Sequence, residues 1–221
     1  SEKKYFLQNY DSTKSIPGIQ KGSLDTFTLF IEHGYKSIEN NGNLCFIVPI
    51  SITSSDSMTA LHNLLEQNCE TIKVSSYAVR PQPVFENSVV NTSILFFTRT
   101  NTRCKHLLAT KMYRKNQEID LQKLVDNLEF TDVLDVKIRG RYPKISYAIE
   151  KDILLKIFKQ EKTIGEMITE KGREIFYRTT GGRYFKVITN YATGSTQEKS
   201  ICIEKKYANA VGTILSSNLF F

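Results

Sequence analysis

The sequence predicts an α/β protein, half of a sheet whose carboxyl-terminal edge turns antiparallel, followed by a small α+β module. Three observations predict it. The run Leu44–Val48 is continuously apolar and ends at Pro49, as a strand buried on both faces of a parallel sheet does. Apolar residues at helical spacing stand on either side of that run. The composition also changes along the chain, because the basic excess belongs entirely to the second half. With 221 residues, the chain has room for one large domain or two small ones.

Each element follows from local pattern. The first twenty residues mix aromatics with polar residues and read as a loop or frayed helix. From Leu24, apolar residues recur at Phe27, Leu29 to Ile31, Tyr35 and Ile38, a helix that Asn40-Asn41-Gly42 stops. After the Leu44–Val48 strand, Ser54 to Asp56 can cap a second helix with Met58, Leu61, Leu64 and Leu65 on one face. Thr71 to Val74 begins another strand, and a Pro-rich turn follows at residues 80–83. Thr92–Thr98 and Lys105–Lys111 read as two strands of a hairpin around the polar loop 99–103. Residues 113–147 form a polar connector with a short helix at 121–128, ending in the basic stretch 137–144. A helix over 149–158 then opens a module with strands near 174–178, 184–188 and 200–203. The expected boundaries are therefore 1–112, 113–147 and 148–221. A sheet of this kind normally opens with its own β-α units, and the last helix-like segment stops on Leu219-Phe220-Phe221 without a polar cap. The expectation is an excised piece of a larger protein.

Composition excludes several classes. Eleven Gly and five Pro are too few for a collagen-like or low-complexity chain, and 40% hydrophobic residues suffice for a core. The longest apolar run, Leu44 to Ile50, is far shorter than a membrane helix requires, so no membrane partner is expected. No signal segment opens the chain. Cys45, Cys69, Cys104 and Cys202 lie far apart, and only three His are present. That argues against a metal site or a disulfide scaffold and suits a reducing, cytoplasmic setting.

Residues 1–102 hold 8 Lys/Arg and 9 Asp/Glu, whereas residues 103–221 hold 22 and 14. A basic half beside a neutral half is the footprint of a chain that meets a polyanion with one part, and also of a solvated lysine-rich surface. Catalytic signatures fail in turn. There is no G-x-G-x-x-G, no P-loop and no G-x-S-x-G, and His33, His62 and His106 read as surface or boundary residues. Two constellations remain. In Tyr177 to Lys186, the cations Arg178, Arg183 and Lys186 are interleaved with Tyr177, Tyr184 and Phe185. Such a turn suits a nucleic-acid surface, and equally a strand whose rings face a core while its charges face water. In Pro83 to Ser93, Phe85 precedes an apolar strand, where an aromatic by default plugs the strand end.

The order of these pieces carries a resemblance. Asp25-Thr26-Phe27-Thr28-Leu29-Phe30-Ile31-Glu32, then Gly42-Asn43-Leu44-Cys45-Phe46-Ile47-Val48-Pro49, then Val84-Phe85 before the strand 93–97, resemble the second half of the catalytic domain of Taq-type and Eco57-type adenine-specific DNA methyltransferases. This group includes the single-chain type IIG restriction–modification enzymes. The stretch Tyr177 to Tyr184 and the closing residues resemble the start of the family's target-recognition domain. The resemblance implies the carboxyl-terminal half of a S-adenosylmethionine-dependent methyltransferase sheet over 1–112, a basic connector over 113–147, and the beginning of a DNA-specificity module over 148–221. It implies methyl transfer from S-adenosylmethionine to the amino group of an adenine flipped out of double-stranded DNA, with Phe85 stacked on that base. Arg139, Arg141, Lys144, Arg178, Arg183 and Lys186 would meet the DNA. The family's glycine-rich cofactor loop and N-P-P-Y motif do not occur in the chain, and Thr26 replaces the usual Leu. The chain by itself is therefore expected neither to hold the cofactor tightly nor to methylate. A non-catalytic nucleic-acid-binding or specificity module is the alternative reading of the same basic half.

Overall fold

The computed structural model describes residues 2–18, 22–116, 121–138, 141–179 and 188–217. They form two units, residues 1–158 and 159–221. In the first, helices α1 (Glu2–Asn9) and α2 (Thr26–Ser37) precede strand β1 (Asn43–Pro49). Helices α3 (Ser51–Ser54) and α4 (Thr59–Asn68) lead to β2 (Thr71–Tyr77), β3 (Thr92–Thr98) and β4 (His106–Tyr113). Helix α5 (Leu121–Asp126), the short β5 (Thr131–Asp132) and α6 (Ala148–Phe158) complete the unit.

The five strands make one mixed sheet in the order β1-β3-β2-β4-β5. β3 is antiparallel to both β1 and β2, while β2 and β4 are parallel. This corrects the hairpin expected from β3 and β4, because β2 lies between them. The physical reason is the loop 99–105, which crosses the amino end of β2 and is tied there. Thr100 and Asn101 donate their N–H groups to the Asn68 carbonyl (3.0 and 2.9 Å), and Cys104 donates to Glu66 (2.7 Å). Glu70 N–H in turn donates to the Thr100 hydroxyl (2.8 Å). β1 is also not buried on both faces. It is an edge strand among the described residues, and its side chains alternate in burial, with Ile47 57% exposed.

The main core fills one face of the sheet. Ile31 and Tyr35 of α2, with Leu61 and Leu65 of α4, pack on Val48, Ile72, Val74, Leu95, Phe97 and Leu107. Val133, Val136 and Tyr142 join this core, and Leu154 and Leu155 of α6 pack against it. Residues 131–158 therefore belong to the first unit, which extends ten residues beyond the expected start of the second module at 148. Few apolar residues mark the stretch 129–147, yet those few are buried. On the opposite face, Tyr77, Val84 and Leu124 form a small cluster with Phe85, Ile94, Tyr113 and Leu128 around it. His62, expected at the surface, is 1% exposed and stacks on Tyr142 with ring centroids 3.9 Å apart.

The second unit places β6 (Ile168–Arg178) between β7 (Ile188–Thr189) and β8 (Glu198–Ile203), with α7 (Lys205–Leu215) following. Ile175, Ile203, Ala208 and Val211 form its core. β6 shifts register against β8 between Ile168 and Arg173. There Gly172 lies so close to Ile203 that an added Cβ would stand 2.1 Å from its carbonyl oxygen, so only glycine fits the bulge. No described helix is long and apolar enough to cross a membrane.

Candidate functional site

In α/β sheets, ligands gather outside the carboxyl ends of the parallel strands. β1, β2 and β4 share one direction here, so their carboxyl ends, at Pro49, Tyr77 and Tyr113, lie on one edge. The segment 78–91 leaves that edge and returns into β3, carrying Phe85. It is pinned at both ends. Ala78 donates to the Tyr113 carbonyl (2.8 Å), Val79 to the Asn91 side-chain oxygen (2.8 Å), and Ile50 to the Asn91 carbonyl (2.9 Å). Within it, Ser88 N–H donates to the Phe85 carbonyl (3.1 Å) across a turn in which Asn87 takes φ 61°. Asn tolerates that left-handed conformation better than most residues. The Phe85 ring is half-buried and meets Tyr77 edge-on, with centroids 6.2 Å apart and planes at 85°. Tyr77 is itself buried and donates its hydroxyl proton to Ser75 (2.9 Å). Phe85 thus packs on the core with part of its surface while part stays open.

A second feature follows the carboxyl end of β1. Thr53 and Ser54 of α3 line a cleft of about 330 Å³ together with Arg141, Tyr142, Lys144 and Leu154. Arg141 Nε donates to Asp56 Oδ1 (2.6 Å), and Lys144 Nζ donates to Thr53 Oγ1 (3.3 Å). Burial, and then the charge of Arg141, hold the Lys144 ammonium below its ordinary range. The cleft therefore carries two cations against one paired carboxylate and favours an anion. Tyr142 backs it, buried, with its hydroxyl donating to Glu66 (3.1 Å), which also pairs with Lys137.

Of the six cations expected to meet DNA, Arg141 and Lys144 come together in this cleft. Arg178 stands in the other unit at the end of β6, opposite Glu198 of β8. Its Nε is buried and has no hydrogen-bond partner among the described residues. Arg139, Arg183 and Lys186 lie outside the described residues. Thr53 and Ser54 were not legible as cleft residues, because hydroxyls after a strand are too common to signal a site.

Glu32, from the helix that carries the resemblance, is fully buried and acts within the fold. Its carboxylate accepts N–H bonds from Asp11 (2.8 Å) and Ser12 (2.7 Å) and pairs with Lys36 (2.6 Å). Burial opposes its charge, but Lys36 and these N–H groups outweigh it, holding the carboxyl below its usual range. The buried thiols are not nucleophiles: burial and the neighbouring Cys104 push Cys69 up to about 12, and burial and Glu66 push Cys104 to about 11. Among the described residues, no group of three His, Cys, Asp or Glu could hold a metal.

Whether this edge could cradle a nucleoside cofactor is decided by its glycines. None occurs between Gly42 and Gly140, so the segments after β1, β2 and β4 offer no position where the backbone could close on a bound ribose or base. Gly34 and Gly42, the nearest before β1, already abut Leu44 and the Glu39 carbonyl. These residues present no glycine-rich cradle of that kind.

Residues 1–85 match the model of the Eco57I restriction-modification methylase family, a span that contains the helix at Asp25–Glu32 and closes on Phe85. No curated protein matches the chain significantly. Among solved structures, the ATP-dependent Type ISP restriction-modification enzyme LlaBIII bound to DNA is similar over 80% of this chain and 13% of its own, at 14% identity and a TM-score of 0.48. A nuclease-deletion mutant of the Type ISP enzyme LlaGI with a DNA substrate mimic is similar over 79% and 15%, at 10% identity and a TM-score of 0.48. The DrdV–DNA complex is similar over 63% and 15%, at 9% identity and a TM-score of 0.43. The chain thus spans 13 to 15% of the length of these solved chains.

Proposed function

We propose, from the restriction-modification methylase match over residues 1–85, that this chain is part of a site-specific DNA methyltransferase of a restriction–modification system. Its reaction moves a methyl group from S-adenosylmethionine to the exocyclic amine of an adenine extruded from double-stranded DNA. One observation carries the reading: the matched span includes Phe85, a half-buried aromatic held in a pinned turn at the carboxyl edge of the parallel strands. An open ring surface there can replace the stacking that an adenine loses on leaving the duplex. In this reading the cofactor is held by a part of the enzyme beyond these 221 residues, since the edge lacks a glycine cradle. The duplex backbone meets the cleft of Arg141 and Lys144 and the neighbouring Arg139 of the basic connector, while Arg178, with Arg183 and Lys186, belongs to a target-recognition module.

The test is Phe85→Ala in the whole enzyme that carries these residues. Loss of one base–aromatic stack lowers methylation turnover by about 10- to 100-fold, while duplex affinity stays within a few-fold. Phe85→Trp retains most of the turnover. Unchanged methylation in the alanine variant removes the base-stacking role. The glycine-free edge gives one point to the alternative, a non-catalytic specificity module, for which neither variant alters any turnover.

A further inference from the structure

The sheet's carboxyl edge carries cations that neither constellation includes. Between Glu70 and Glu118 the sequence contains eight Lys or Arg and a single carboxylate, Glu86. Three of the eight leave the carboxyl ends of adjacent parallel strands: Arg80 follows β2, and Arg114 and Lys115 follow β4. The two segments are tied together. Gln82 N–H donates to the Lys115 carbonyl (3.3 Å), and the Arg114 guanidinium donates to the Arg80 carbonyl (3.3 Å). The three residues are thereby brought to adjoining segments at the base of the Phe85 segment.

Several cations elsewhere in this unit have carboxylate partners, among them Lys105 with Glu70, Lys137 with Glu66, Arg141 with Asp56 and Lys151 with Asp135. Arg80, Arg114 and Lys115 form no ion pair among the described residues. Beside them, the same segment exposes Val89 at 87% and Val90 at 50%, the former the most exposed large apolar side chain described. Unpaired cations gathered next to bare apolar side chains fit a ligand that offers both phosphates and base or sugar surface.

We infer that Arg80, Arg114 and Lys115 form a phosphate-anchoring site for the DNA backbone flanking the extruded adenine, with Val89 and Val90 against the adjacent sugars and bases. The inference rests on the proposed function and specifies how the duplex is held at the Phe85 end. Its cations lie outside the Arg141–Lys144 cleft and act in addition to it. Each phosphate contact releases counterions, so each contributes to the salt dependence of binding.

The test measures binding of the 221-residue chain to a fluorescein-labelled duplex by anisotropy across a sodium chloride series. The triple substitution R80Q/R114Q/K115Q lowers the slope of log affinity against log salt by about 2 to 3. A control triple, K73Q/R103Q/K105Q, removes the same charge away from the carboxyl edge and lowers it by less than about 1. Circular dichroism confirms that both variants stay folded. Salt-dependent binding by the parent chain with an unchanged slope in R80Q/R114Q/K115Q overturns the inference and leaves the proposed function standing. Equal slope losses in the two triples overturn it as well, since net charge alone then explains binding. A chain that binds no duplex at low salt overturns both the inference and the duplex-holding part of the proposed function, whereas the base-stacking role is decided separately by Phe85→Ala turnover.

Discussion

The two ends of the five-stranded sheet are built on opposite principles. At the amino end, the crossing loop 99–105 spends its polar groups on the chain itself. Arg99 donates to the carbonyls of Ile38 (2.8 Å) and Tyr35 (3.3 Å) at the end of α2 and lies over the Tyr35 ring. A cation in that position also answers the negative end of the helix dipole. At the carboxyl end, backbone ties also hold the segments, yet Arg80, Arg114 and Lys115 form no ion pair among the described residues and Val89 and Val90 are exposed. The difference separates polar groups that hold the fold from polar groups held ready by it.

That contrast can be broken by substitution. The largest loss is expected on the α2 flank, where Glu32→Ala strands the buried Ser12 N–H and the part-buried Asp11 N–H and costs about 2–4 kcal/mol in urea unfolding at neutral pH. The pH dependence has a definite sign. Because the Glu32 carboxyl is held below its usual value near 4.5, its contribution is complete above that pH and is lost as pH falls through the lowered value. The stability gap between the parent and Glu32→Gln therefore narrows on acidification below about pH 4. A gap that stays constant with pH would show that the carboxylate's charge contributes nothing. Arg99→Ala comes next, at about 1–2 kcal/mol, since it frees the α2 carbonyls at the closed end. The smallest effect belongs to the open end. Val89→Ser changes stability by no more than about 0.5 kcal/mol. A cost comparable to that of Arg99→Ala would mean that the open end is structural after all.

Much of the fold was legible because single elements announce themselves. The helical spacing from Phe27 to Tyr35 and the apolar runs of β1 and β3 are local signals, and they correspond to α2, β1 and β3. Neighbour relations are not local. An apolar run says that Thr92–Thr98 is a strand, but not that it inserts between β1 and β2. The insertion depends on hydrogen bonds from loop 99–105 to Asn68 and Glu66, residues more than thirty positions away. Within the expected connector 113–147, Val133, Val136 and Tyr142 join the main core, because a few apolar side chains suffice to seal its edge when a large ring is among them. For the site, Phe85 is marked by a resemblance, whereas the cationic stretch 71–117 straddles the middle of the chain, so the charge of neither half alone displays it. That stretch, spanning β2 to β4, is the most carboxylate-poor part of the first unit.

The insertion of β3 also dictates an order of assembly. Pairs between β2 and β3 close loops of only 15 to 25 residues, such as Tyr77 with Thr92 and Ile72 with Phe97. Pairs between β1 and β3 join residues 43 to 55 positions apart, from Pro49 with Thr92 to Asn43 with Thr98. Shorter closures lose less chain entropy, so β2 and β3 zip together first and β1 docks onto a strand already half paired. Until it does, β3 presents an open, apolar edge to other chains. The strand with the longest closures is thus also the one that covers the edge of β3.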